Sequence, residues 1–168
     1  QITGPRLKPR AYILQSVLSS MRLRTLAREM ARTEGTSFDK IMKRASKMAN
    51  EIAADYNIAY IAFLDWVLTW VWNNIYSGFT VDRQGIEAVK RASRKGALIL
   101  LPSHKSHIDY LVLSYAFYHN DLPPPHIAAG VNLSFWPLGR IFRKAGAFFI
   151  RRSFRGQPLY TAVFQAYI

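Results

Sequence analysis

Two histidines and an aspartate fall within six positions in the run Leu101-Pro102-Ser103-His104-Lys105-Ser106-His107-Ile108-Asp109-Tyr110. An imidazole becomes a useful base near neutral pH when a carboxylate accepts a hydrogen bond from one ring nitrogen and leaves the other to take up a proton. His104 and Asp109 have the types and spacing for such a pair. The histidine would sit on a loop and the aspartate on a first helical turn, where the macrodipole favours an anion. A dyad of this kind needs no nucleophile of its own: it can deprotonate a substrate hydroxyl, which then attacks directly. Spacing alone leaves other readings open. A solvated helix cap beside a surface histidine gives the same pattern, and His104, His107 and Asp109 together offer nitrogen and oxygen ligands to a metal. The spacing matches no strong zinc motif and Lys105 crowds the loop, so no metal ligand set is assigned. Neither Ser103 nor Ser106 lies in a Gly-x-Ser-x-Gly elbow.

A second cluster is Gly146-Ala147-Phe148-Phe149-Ile150-Arg151-Arg152. Residues 140–155 hold six basic side chains (Arg140, Arg143, Lys144, Arg151, Arg152, Arg155) and no acid. An arginine at the end of a strand can present its planar fork to a phosphate, bidentate and charge-assisted. A solvated basic face is the plainer alternative, and the apolar run leading into Arg151 favours a site at the sheet's edge.

The elements that must position these residues are legible in outline. Residues 97–101 form a short apolar run of strand length stopped by Pro102, and residues 107–118 read as a helix, so the His104 cluster lies at a strand-to-helix junction. In open α/β sheets ligands bind there, outside the carboxyl ends of strands. Residues 126–130 and 147–150 are further strand candidates, with residue 121 to residue 125 a loop between them and the helix. A short helix around Ile86, Val89 and Ala92 ends at Lys95 and Gly96. Strands alternating with helices predict an α/β domain with a largely parallel sheet.

Upstream the chain reads as helices. Leu14, Val17, Leu18 and Met21 keep helical spacing. Thr36 with Asp39 fits a capping box, after which Ile41, Ala45, Met48, Ala49, Ile52, Ala53 and Tyr56 hold one face and Lys40, Lys43, Arg44 and Lys47 the other. Residues 58–75 are the most apolar stretch, their polar residues Asp65, Thr69 and Asn73 falling every four positions. Such a helix is either buried or dips into lipid; a simple span wants about 20 apolar residues and is disfavoured by a central aspartate. Two regions are therefore expected. Residues 1–80 form a helical region and a candidate for membrane association. Residues 81–168 form the first part of an α/β catalytic domain with flanking helices.

The 168 residues are 50% hydrophobic, which excludes a disordered tail, and there is no cysteine, which excludes disulfides and thiolate metal sites. A formal net charge of +13 calls for polyanionic surroundings. Nucleic acid, an anionic membrane face and phosphorylated substrates all satisfy it. A nucleic-acid-binding module is the rival from another class, but the aromatics sit in apolar runs rather than among Lys and Arg, so nucleic acid is not an expected partner.

His104-x-x-x-x-Asp109 followed some forty residues on by Gly146-Ala147-Phe148-Phe149-Ile150-Arg151-Arg152 resembles the glycerolipid acyltransferase family. The flanking runs Pro124-Pro125-His126-Ile127-Ala128-Ala129-Gly130-Val131-Asn132-Leu133 and Phe135-Trp136-Pro137 are similar to its bacterial membrane-bound glycerol-3-phosphate acyltransferases. The likeness reaches back to Gly4-Pro5-Arg6. The resemblance implies acyl transfer from acyl-CoA or acyl-carrier protein to the sn-1 hydroxyl of glycerol 3-phosphate, with no other cofactor. A relative within the family that acylates dihydroxyacetone phosphate is the alternative. It implies His104 as general base, Asp109 as its orienting partner and Arg151 as a phosphate ligand, with Phe149, Ile150 and Arg152 in the same substrate-binding block. It also implies anionic membrane lipid as a partner, on the cytoplasmic face of a bacterial inner membrane. The family's Phe-Pro-Glu-Gly-Thr/Ser-Arg block and its Pro-containing fourth motif are not in the sequence; Glu34-Gly35-Thr36 imitates only the middle of the former. The expectation is that both lie beyond Ile168, that the chain is an internal piece, and that these 168 residues alone have little activity.

Overall fold

A computed structural model describes residues 8–74, 80–103 and 109–168. The described elements are, in chain order, α1 (Arg10–Ser19), α2 (Met21–Thr33), α3 (Phe38–Ile52), α4 (Ile58–Asn74), α5 (Arg83–Ser93), α6 (Asp109–Tyr118), β1 (Ile127–Gly130), a 3-10 turn (Val131–Leu133), α7 (Leu138–Lys144), β2 (Ala147–Ile150) and α8 (Pro158–Tyr167). They form two compact units. One comprises Leu7–Ile58 with His126–Ile168; the other is built on Ala59–Pro125. The boundary expected near residue 80 does not coincide with this division, because the first three helices pack on the strand-bearing end of the chain.

In the first of these units α2 and α3 turn alanines inward. Leu23 and Ala27 on α2, and Ile41, Ala45, Ala49 and Ile52 on α3, meet Val17 of α1 and Leu159, Tyr160 and Val163 of α8 in one buried cluster. Small side chains in the contact faces let helix axes approach closely. The lysines and arginines expected opposite them on α3 are exposed. The spacing that ran from Leu14 through Met21 is broken. Ser20 is extended (φ −53°, ψ 124°), a new helix begins after it, and Met21 is 75% exposed.

The start of α3 also differs from expectation. Gly35 (φ 62°) and Thr36 close α2: the Thr36 N–H donates to the Ala31 carbonyl at 2.9 Å and the Gly35 N–H to that of Arg32. This is a Schellman closure, which uses a left-handed residue that glycine adopts at no steric cost. Thr36 is thereby committed to α2, and Ser37 caps α3 by accepting from the Lys40 N–H at 3.2 Å.

β1 and β2 pair in parallel with Ile127 opposite Ala147 and Gly130 opposite Ile150, joined through the 3-10 turn and α7. The α/β class with a parallel pair is as expected. Residues 97–101, expected as the first strand, form none: Ile99 and Leu101 are 86% and 90% exposed. An apolar run becomes a strand only where a neighbour completes its ladder, and among the described residues none does.

In the Ala59–Pro125 unit α6 pairs with both α4 and α5. Ile86 of α5, Phe117 of α6 and Leu122 form one small cluster with Val89 and Leu113. The polar stripe of α4 meets α6: the Asp65 carboxylate lies 2.7 Å from His119 Nε2, and the hydroxyls of Thr69 and Tyr115 are 3.1 Å apart. Phe63, Trp66 and Trp70 on another face of α4 are 54%, 69% and 58% exposed, so α4 is not an enclosed core helix. No described helix is long and apolar enough to cross a membrane.

Candidate active site

Asp109 is the first residue of α6, in the first turn, as the dipole argument requires. His104 and His107 lie outside the described residues, and so does the expected His104–Asp109 contact. Among the described residues no group of three or more His, Cys, Asp and Glu side chains could hold a metal. Asp109 and Arg151 belong to different units.

The arginine block is described in full. Ile150 is half-buried, and Phe149 is fully buried beneath the Arg143 guanidinium, 4.5 Å from its ring centroid. With no exposed surface, Phe149 packs β2 in place and offers nothing for a ligand to touch. Arg151 is closed on its own chain. Its Nε and Nη2 donate to the two oxygens of Glu51 at 2.7 and 2.8 Å, and Nη1 donates to Gln157 Oε1. The guanidinium also lies 4.4 Å from the Tyr160 ring centroid, while the Arg151 backbone N–H donates to the Tyr160 hydroxyl at 3.1 Å. Hydrogen bonding to Glu51 raises the Arg151 pKa above its ordinary value. Arg152, one peptide bond on, is exposed and has no acidic partner among the described residues.

Arg143 is a tie that sequence spacing did not reveal. Its two Nη atoms donate at 2.6 Å to the carbonyls of Ala53 and Glu51, which the end of α3 leaves without helical partners. Burial, partly offset by nearby acids, lowers its pKa. Glu51, Gln157 and Tyr160 were likewise not singled out. One signal was available for Glu51: an acid in the last turn of α3 opposes the macrodipole unless something else holds it. At the carboxyl end of the parallel pair, Arg151 and Arg152 follow β2 while the 3-10 turn follows β1. An arginine exposed at such a strand end is suited to an anion.

Residues 80–166, just over half of the chain, match the acyltransferase family model, "Acyltransferase". Curated relatives match along almost its whole length. A glycerol-3-phosphate acyltransferase of Haemophilus influenzae (strain PittEE) is 46% identical over 167 residues, covering 99% of this chain and 20% of the relative. One of Aeromonas hydrophila subsp. hydrophila is 45% identical with the same coverage. One of Shewanella frigidimarina is 43% identical over 168 residues, or 21% of its length. The chain thus spans about a fifth of the length of the curated relatives it matches.

Proposed function

Because the chain belongs to the acyltransferase family, we propose that it contributes the base and part of the phosphate site to a glycerol-3-phosphate acyltransferase. The observation that carries this reading is identity of 43–46% over 99% of the chain to relatives bearing that name. In the proposed step His104 takes the proton of the sn-1 hydroxyl as its oxygen attacks the thioester carbonyl of acyl-CoA or acyl-carrier protein. The new C–O bond forms the ester, the C–S bond breaks, and the proton passes from His104 to the departing thiolate. Asp109 keeps the imidazole in the required tautomer.

The phosphate of the acceptor calls for an arginine fork. The sequence nominated Arg151 first. Its pairing with Glu51 and Gln157 supports giving the contact to Arg152 instead, with Arg151 behind it. The net charge of +13 and the exposed Phe63, Trp66 and Trp70 of α4 support attachment to an anionic bilayer surface, which we assign to the cytoplasmic face of a bacterial inner membrane. α4 has 17 residues, about 25 Å at 1.5 Å per residue, a length that suits lying at an interface.

The test is an acyl-transfer assay on the full-length protein that carries this sequence, with glycerol 3-phosphate and dihydroxyacetone phosphate offered side by side. Preference for glycerol 3-phosphate is expected. Transfer to dihydroxyacetone phosphate alone would reassign the acceptor, and transfer to neither would overturn the reading.

A further inference from the structure

We propose that Glu51 is a positioning residue for phosphate capture: its bidentate pair with Arg151 fixes the carboxyl end of β2 so that Arg152 is presented to the anion. The inference rests on the acyl-transfer reading above.

Glu51 and Arg151 are separated by 100 residues in sequence, so the pair ties α3 to the end of β2. Both the side chain and the main chain of residue 151 are held. The guanidinium is gripped by Glu51, Gln157 and the Tyr160 ring, and the backbone N–H by the hydroxyl of Tyr160, a side chain with no exposed surface. Arg152 starts one peptide unit, about 3.8 Å, beyond this anchor. The main chain of Glu51 is engaged as well: its carbonyl accepts from Arg143, whose guanidinium covers Phe149 in β2. One residue of α3 therefore braces the strand at two points. A guanidinium already matched to a carboxylate is a weak ligand for a second anion but a stiff strut. That is how a supporting shell holds a contact residue in place.

The plainer role for the same pair is a tie that stabilises the fold and leaves substrate affinity alone. The two roles separate by sign. Glu51→Gln removes a negative charge near the bound phosphate, which by Coulomb attraction alone lowers KM for glycerol 3-phosphate. Loss of positioning raises it.

The experiment uses the full-length protein, measures KM and kcat separately, and follows the fold by Tm. Glu51→Gln is expected to raise KM for glycerol 3-phosphate roughly tenfold, the scale of one hydrogen bond to a charged group, with kcat within about twofold. Glu51→Asp is expected to recover part of the loss. Gln157→Ala keeps the ion pair, removes one brace and is expected to raise KM about threefold; it decides the matter if Glu51→Gln does not fold. An unchanged or lowered KM in folded Glu51→Gln overturns the proposal, as does an unchanged KM in Gln157→Ala where that variant alone folds. Failure of the acyl-transfer reading looks different: the wild type transfers to neither acceptor, and the positioning role falls with it. An unchanged KM in Arg152→Ala of a protein that does transfer overturns the positioning role alone.

Discussion

Two adjacent arginines at the end of β2 meet different surroundings, Arg151 enclosed by Glu51, Gln157 and Tyr160 and Arg152 exposed to solvent. Their division into strut and ligand predicts that Arg152→Ala raises KM for glycerol 3-phosphate about 10- to 100-fold, the scale of a lost charge-assisted contact, while Tm stays within a degree or two. Steady-state kinetics with a thermal melt checks it; a lowered Tm with unchanged KM would assign Arg152 to the fold instead. Tyr56 supplies a pH prediction at the same scale. Burial pushes its phenol up from 10.0 to about 12. The folded chain therefore holds this proton more tightly than the unfolded chain. The associated stability is complete below pH 10 and is lost as pH rises from 10 through 12. Urea melts at pH 8 and pH 11 should show the loss, and Tyr56→Phe should lessen it; equal alkaline losses in both proteins would remove Tyr56 as a cause. None of the Glu51, Arg143 or Tyr160 contacts was legible in the sequence, because pairs separated by 9 to 100 residues leave no periodic trace. The His-x4-Asp and Phe-Ile-Arg-Arg runs were legible because their residues are local.

At the scale of elements, α3 and the strands at 127–130 and 147–150 followed from patterning, since one face of a helix or one run of a strand encodes its own burial. What patterning missed depended on partners. The run at 97–101 has strand composition but no described neighbour to pair with. The α1–α2 break at Ser20 lies inside an unbroken helical spacing, and Thr36 resembled a cap because Ser37 beside it has the same chemistry. The polar residues spaced by four on α4 were visible in the sequence, but their partners Tyr115 and His119 were not. The connection between the strands gives a direct test. A Cβ added at Gly139 would lie 2.2 Å from the Ser134 carbonyl oxygen, which is backbone and cannot step aside. Gly139→Ala should therefore cost about 1–3 kcal/mol by chemical denaturation, as overpacking does. A cost below about 0.5 kcal/mol, ordinary for a surface change, would mean that the turn between Ser134 and α7 opens freely.

For the whole molecule, a net charge of +13 and the exposed aromatic face of α4 set the expected surroundings. The protein should sediment with anionic vesicles, be released as salt rises, and bind neutral vesicles weakly; equal binding to both at every ionic strength would contradict a charge-led attachment. The family match over residues 80–166 and the identity over 99% of the chain support acyl transfer, and we propose His104 as its base. The measurement that tests it most directly is acyl transfer from acyl-CoA to glycerol 3-phosphate by the full-length protein, wild type against His104→Ala. The wild type should form 1-acyl-glycerol 3-phosphate, and kcat should fall about 100- to 10,000-fold in the variant, the range of a lost general base. A folded His104→Ala protein that transfers acyl groups at the wild-type rate would contradict it.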